Sequence, residues 1–153
     1  NYVHLNNWMV LHPDEVIAYW RKRSAPFDIG YGIHVLTDAL WVRARLEQLP
    51  QLNLPDGSLD KEKYYRDTFL TDFELYRDGG EALFRKMGEG KAPSDHPLLT
   101  QEEFAQWQRD VLKAYRGKCP KTGRAEYITC AYARRFVEEC QKELDSIYGR
   151  FEK

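Results

Sequence analysis

A histidine and an aspartate four residues apart are the side chains in this sequence best suited to chemistry. The stretch GYGIHVLTD contains His34 and Asp38. In a helix, side chains at positions i and i+4 lie on one face, with Cβ atoms about 5–6 Å apart. Imidazole and carboxylate groups are both common Zn²⁺ ligands. The spacing therefore predicts either half of a metal site or a structural His–Asp pair.

Both side chains lie in the least polar stretch of the chain, so we predict that they point inward. An ionised carboxylate removed from water costs several kcal/mol unless a positive partner meets it. Three partners would satisfy Asp38: a metal ion, a protonated His34, or an arginine from another helix. Gly30 leaves space over the imidazole, because helical side chains lean toward the N-terminus. His12 and His96 are predicted to lie at the surface.

The apolar periodicity predicts an all-α fold, with a single domain over residues 1–153. No segment has the sustained period-2 alternation of a strand. The central helix is predicted at about 28–49. Its apolar residues recur at helical spacing: Ile29, Ile33, Leu36 and Leu40. Because it has almost no polar face, we expect this helix to be covered on every side.

The remaining helices make a bundle of five or six in total. They are predicted at about 13–23, 58–78, 81–87, 100–116 and 129–151. Gly79 and Gly80 are predicted to end the helix over 58–78. Thr100 and Glu103 have the spacing of a capping box, in which each side chain pairs with a free amide near the helix start.

Two aspartates of the helix over 58–78 are candidate catalytic residues. An apolar stripe follows one side of this helix: Tyr65, Phe69, Phe73 and Tyr76. Asp72 is predicted to lie on the stripe and face inward, while Asp67, about 140° away around the helix, flanks it. Asp72 could orient His34, accept a proton or be a further ligand. The alternative is a buried structural carboxylate.

The composition excludes several classes of protein. With 42% hydrophobic and 14% aromatic residues, the chain is not disordered as a whole. The net charge of −1 argues against a broad nucleic-acid surface, and no apolar run reaches the ~18 residues of a membrane span. The odd number of cysteines, three, favours a reducing, cytoplasmic compartment, and Cys130 and Cys140, which lack CxxC spacing, are predicted to be helix-core thiols. Secretion is the alternative if a further segment precedes Asn1.

The motif GYGIHVLTDALW resembles the central helix of the zinc-dependent phospholipase C family, as found in its small bacterial members. His4-Leu5 before this helix, and YYRDTFLTDFELY after it, match the family in the same order, so the resemblance covers about residues 2–76. It implies a helical phosphodiesterase that binds zinc. His4, His34 and Asp38 would be its metal ligands, and a small phosphoester or phospholipid headgroup its substrate.

The chain also departs from the family pattern. Ala44 occupies a position where the fuller enzymes have histidine, and a further H-x3-E pair is absent. The early histidine and aspartate of the family would precede His4, so residues 1–153 would be the C-terminal part of a longer protein. The resemblance therefore implies one Zn²⁺ site in place of a metal cluster.

A non-catalytic helical bundle that serves as a binding module is the alternative. The pair His34–Asp38 would then be structural, and an exposed Trp8, Trp41 or Trp107 would anchor a protein partner. Three metal-type ligands around a wet pocket would favour the hydrolase, and a dry pair beside an arginine would favour the bundle. A helical phosphohydrolase of the HD type ranks lower, because the sequence has no adjacent His-Asp dipeptide.

Overall fold

The computed structural model describes most of the chain. The described residues are 18, 25–91, 100–117 and 123–148, without the side chains at 116, 117, 147 and 148. Ala18 is helical, and the rest of the helix predicted at 13–23 lies outside the described residues.

The all-α class predicted from the sequence is confirmed. After Ala18, five α-helices lie in the described ranges: α1 (Pro26–Gln48), α2 (Lys61–Leu75), α3 (Glu81–Glu89), α4 (Gln101–Gly117) and α5 (Cys130–Tyr148). In the same ranges, strand-like pairing is limited to an isolated bridge between Asn53 and Leu59.

The chain divides into two compact units. The first comprises Asn1–Asp60 and Ala131–Lys153, and the second comprises Lys61–Cys130. Helix α1 and all of α5 after its first residue belong to the first unit, whereas α2, α3 and α4 belong to the second. The single domain over 1–153 stays a prediction.

Local chemistry sets the ends of helix α1, close to the predicted 28–49. Pro26 stands in the first turn, where its missing N–H would have no helical partner in any case. Asp28, also in the first turn, complements the positive end of the helix dipole. At the other end Pro50 follows, and the residue before a proline is disfavoured in helical geometry.

Helix α1 is covered on one face, so the prediction that it is covered on every side is wrong. Its buried residues are Gly32, Val35, Leu36 and Ala39. Ile29 and Ile33 are 37% and 38% exposed. A small protein cannot cover all of its apolar surface, and single exposed apolar side chains are usual.

Helices α1 and α5 pack together within the first unit. The Trp41 ring meets Phe136 edge-on at 4.8 Å and Tyr132 at 5.7 Å between ring centres. Arg43 donates to a Glu143 carboxylate oxygen at 2.6 Å, in an exposed ion pair. These half-buried and buried rings join α1 to α5 beside a mainly aliphatic core that includes Val35, Leu36 and Leu52, and the ion pair is exposed.

The cysteines agree in part with the prediction of helix-core thiols. Cys140 is buried on α5, and burial raises the pKa of its thiol. Cys130, the first residue of α5, is half-buried. Cys119 lies outside the described residues.

The helix predicted over 58–78 is α2, Lys61–Leu75, and the backbone leaves helical geometry at Asp78 and Gly79, next to the predicted glycine break. The chain passes from α2 to the next helix through a kink, Tyr76–Gly80, in which Gly79 has φ +94°, a left-handed conformation that favours glycine. A Cβ atom on Gly80 would lie 2.7 Å from the carbonyl oxygen of Leu75. Both glycines are therefore required by the turn, and α3 starts directly after them.

The predicted capping box at the start of α4 is confirmed. The Thr100 hydroxyl accepts the backbone N–H of Glu103 at 3.2 Å. In return, Glu103 accepts the backbone N–H of Thr100 at 2.9 Å. Two amides that have no partner within the helix are satisfied in this way.

Replacing Thr100 with alanine is expected to lower the free energy of unfolding by about 1 kcal/mol, because one helix-start amide loses its acceptor. Urea unfolding followed by circular dichroism measures this loss. Thr100→Ser retains the hydroxyl and should match the wild-type protein. Equal losses in both variants would contradict the capping explanation.

Candidate functional site

His34 and Asp38 face each other across one turn of α1, as their spacing predicts. Nε2 of His34 lies 3.6 Å from Oδ2 of Asp38. The two side chains are 53% and 44% exposed. The pair is therefore in contact with solvent.

The expectation that this pair points inward is wrong. At 100° per residue, His34 lies about 150° and Asp38 about 110° from the middle of the buried face of α1. That face is formed by Gly32, Val35, Leu36 and Ala39. The apolar residues before and after the pair suggested a fully buried helix, but the buried face comprises other positions.

Exposure changes the energetic argument for a metal ion. A carboxylate that keeps contact with water does not incur the large desolvation cost of a buried charge. Exposed ion pairs typically contribute about 0–1 kcal/mol. Desolvation therefore gives no reason for a cation at the His34–Asp38 pair, and an argument for metal has to rest on the donor geometry.

The donor geometry fits two ligands of a zinc ion. Zinc bonds to imidazole nitrogen and carboxylate oxygen are about 2.0–2.2 Å long, so two donors at a tetrahedral angle lie about 3.3–3.5 Å apart. The observed separation of 3.6 Å needs only a small adjustment of either side chain. The pair thus has the chemistry and spacing of a half-site.

The tyrosine before the pair borders the imidazole. The ring centre of Tyr31 lies 6.1 Å from that of His34, and the Phe27 ring stacks with Tyr31 at 6.4 Å between ring centres. Burial and the negative charge of Asp38 raise the pKa of the Tyr31 hydroxyl. The pair therefore has an aromatic border toward the start of α1.

The third predicted ligand, His4, lies outside the described residues. Within the described ranges, no group of three His, Cys, Asp or Glu side chains is placed to hold a metal ion. A three-ligand site at this pair therefore stays a prediction.

Asp67 is buried, contrary to the expectation that it flanks the apolar stripe of α2. Its side chain has no exposed surface. Its Oδ2 accepts backbone N–H bonds from Glu126, Tyr127 and Ile128 at 3.0, 2.6 and 3.1 Å. Its Oδ1 accepts from Arg66 at 3.0 Å. We refer to residues 126–128 as the anchored segment.

These bonds decide the ionisation of Asp67. Burial alone would raise its pKa, but the backbone bonds from Tyr127 and Ile128, together with Arg66, outweigh burial and hold the pKa below its usual range. Both carboxylate oxygens are occupied by donors within the protein. Asp67 therefore has a structural task.

Asp72 is exposed, so the expectation that it faces inward is also wrong. On the predicted stripe, Tyr65 and Phe69 are 62% and 46% exposed, while Phe73 is buried. The face of α2 that carries Asp67 and Thr71 therefore packs against the anchored segment, whereas part of the aromatic stripe is exposed. The buried face of α2 differs from the predicted one because the anchored segment, against which α2 packs, contacts Asp67 and Thr71.

An aromatic cluster lies beside Asp72. The hydroxyl of Tyr115 donates to Oδ2 of Asp72 at 3.4 Å, and the Tyr115 ring contacts Phe84, Phe73 and Tyr76 at 4.4, 5.2 and 5.4 Å. Partial loss of water raises the pKa of Asp72, and the Tyr115 bond offsets part of this rise. Burial and the Asp72 charge raise the pKa of Tyr115 to about 12.

Replacing Tyr115 with phenylalanine is expected to raise the pKa of Asp72 further, because the ionised carboxylate loses a donor while the aromatic shielding stays. A carboxyl-detected NMR titration measures this change. Tyr76→Phe, in the same cluster, is the matched control and should leave the pKa of Asp72 unchanged. A downward shift in Tyr115→Phe would contradict the assigned bond.

Sequence reasoning missed the anchored segment. One signal was present: Asp67 and Thr71 are polar residues at helical i, i+4 spacing. Both are buried, and the Thr71 hydroxyl donates to the carbonyl of Ile128. Two buried polar groups on one helix face need partners from elsewhere in the chain, and here backbone groups supply them.

In comparisons with family models, curated proteins and solved structures, no match to this chain was found. The resemblance to the zinc-dependent phospholipase C family therefore stays a prediction. Among the described residues, no helix has the length and apolar character needed to cross a bilayer.

Proposed function

We propose that this protein binds one divalent metal ion, most simply Zn²⁺, at His34 and Asp38 and hydrolyses phosphoesters there. The donor separation of 3.6 Å is the observation that supports the proposal best. The motif resemblance adds His4 as the third ligand. The proposed site uses residues of the first unit only.

Solvent access supports hydrolysis over a purely structural pair. Both side chains of the pair are about half exposed, so water and a small phosphoester can reach the donor atoms. A dry pair held by an arginine would have favoured the structural alternative. Catalytic metal sites need an open position beside their protein ligands, in contrast to closed structural sites.

The roles of the residues follow from their atoms. Nε2 of His34 and Oδ2 of Asp38 would hold the ion, and the negative carboxylate lowers the net charge of the site. The Tyr31 ring borders the imidazole on the side toward the start of α1. Zn²⁺ bound at such a site supplies Lewis-acid polarisation of a phosphoester and activates water near neutral pH.

Metal titration of the purified chain tests the proposal. After chelator treatment, calorimetry with Zn²⁺ is expected to give one site per chain, and hydrolysis of bis(p-nitrophenyl) phosphate should follow occupancy. Absence of Zn²⁺ binding would contradict the proposal. Stoichiometric binding without turnover on mono- and diesters would reduce it to a structural metal site.

A binding module is the second candidate, favoured by exposed aromatic surface in the second unit. Trp107 is 50% exposed, and Tyr65 and Phe69 are exposed on α2. Aromatic anchors of this kind dominate the binding energy of many interfaces. Self-association that sedimentation detects in the wild type and not in Phe69→Ser would support this candidate, whereas a concentration-independent monomer would argue against it.

A further inference from the structure

Asp67 joins two stretches of chain that are far apart in sequence. The acceptor lies on α2, and its three backbone donors lie in the anchored segment, 59 to 61 residues later. Each of these amides donates to the same oxygen, Oδ2. The anchored segment is thus held by one titratable group.

The charged groups around Asp67 come from both elements. On α2, the Arg66 guanidinium lies 3.0 Å from Oδ1, and the charge of Lys63 acts on the neighbouring Tyr127. On the anchored segment, the Glu126 carboxylate lies 3.3 Å from Arg66. Arg66 therefore lies between two acids, of which only Asp67 is buried.

We propose that Asp67 is an acid-released latch. Its ionised carboxylate holds the anchored segment against α2, and uptake of one proton by that carboxylate frees the segment before the helices unfold.

The physical basis is the difference between charged and neutral acceptors. Hydrogen bonds to an ionised carboxylate are about twice as strong as those between neutral groups. Protonation at either oxygen removes this charge and adds an O–H donor that faces N–H donors on every side. The three amides and Arg66 are then left with a neutral acceptor, so all of their bonds to Asp67 weaken in one step.

The direction with pH follows from the sign of the pKa change. Because the pKa of Asp67 in the folded protein is below its usual value, the latch contributes its full stabilisation above the unfolded-chain pKa of about 3.9. This contribution is lost as the pH falls through the lower folded-state value. Release is therefore an event of acidic conditions.

The release should not be uniform along the segment. Ile128 is 2% exposed, and its carbonyl also accepts from the Thr71 hydroxyl, a bond that protonation of Asp67 leaves in place. Glu126 and Tyr127 do not share that bond. We therefore expect the amides of Glu126 and Tyr127 to open more than the amide of Ile128.

Hydrogen exchange of the full chain tests the latch. Protection factors, which divide out the direct effect of pH on exchange, should fall severalfold, by up to about ninefold, at Glu126 and Tyr127 between pH 6 and pH 3, because the released carboxyl has the ordinary pKa of about 3.9. The amides inside α5 should keep their protection over the same range. Equal loss of protection in the anchored segment and in α5 would show global unfolding and overturn the proposal.

Two variants complete the test. In Asp67→Asn, which carries a neutral amide, the anchored segment should have at pH 6 the reduced protection that the wild-type protein shows only at low pH. Acidification should not change the protection of this variant further. Glu126→Gln, which removes the exposed acid next to Arg66, should keep the wild-type pH dependence. Retained pH dependence in Asp67→Asn would overturn the proposal, even if that variant were the less stable protein.

Discussion

Replacing His34 with alanine is expected to lower the affinity for Zn²⁺ by at least about 100-fold and to reduce phosphoester hydrolysis to background. Loss of a group that only supports a metal ligand costs 10–100-fold in affinity or activity, and His34 would be a direct ligand. His34 is half exposed, so the variant should fold normally. Calorimetry with Zn²⁺ and a chromogenic phosphodiester assay measure the two effects.

Two further variants separate the site from general effects of mutation. Asp38→Asn, which retains shape and loses charge, should weaken Zn²⁺ binding together with hydrolysis. His96→Ala removes a histidine that the sequence predicts at the surface and should leave both unchanged. Zn²⁺ affinity that survives the loss of His34 would refute the proposed site.

Replacing Asp67 with alanine is expected to lower the free energy of unfolding by about 3–5 kcal/mol. The change removes a fully buried carboxylate and leaves three backbone N–H groups and Arg66 without their acceptor. Buried donors that lose a charged partner carry the full cost of their desolvation. Urea unfolding at pH 7 measures the loss.

Asp72 is the matched control, because it is an aspartate on the same helix. Asp72→Ala should change the free energy of unfolding by less than about 1 kcal/mol, since the residue is exposed and accepts one long bond. A larger loss for Asp72→Ala than for Asp67→Ala would mean that the inward face of α2 has been assigned to the wrong aspartate. If Asp67→Ala does not fold, Asp67→Asn allows the same comparison.

Local features of the fold could be predicted because their causes lie within a few residues. Pro26 and Pro50 bound α1, and Gly79 supplies the left-handed conformation that ends α2. Thr100 and Glu103 form their capping box without help from other elements. Each of these depends on backbone sterics or a short-range hydrogen bond, which neighbouring residues decide.

The inward face of α2 could not be predicted in the same way. Helical periodicity states that Asp67 and Asp72 point in different directions, but not which direction meets the rest of the protein. That choice depends on the anchored segment, about sixty residues later, which offers three backbone N–H groups to one carboxylate. Aromatic rings at Tyr65 and Phe69 were the stronger sequence signal, yet they are exposed.

For the candidate site as well, one feature could be predicted from the sequence and another depended on the tertiary structure. The sequence by itself determined that His34 and Asp38 meet on one helix face, because helix geometry places residues i and i+4 together wherever the helix packs. Only the tertiary structure decided that this face contacts water, since burial depends on which side of α1 the rest of the chain covers. The cost of a buried charge therefore does not apply to this pair, and the separation of its donor atoms supports a metal site instead.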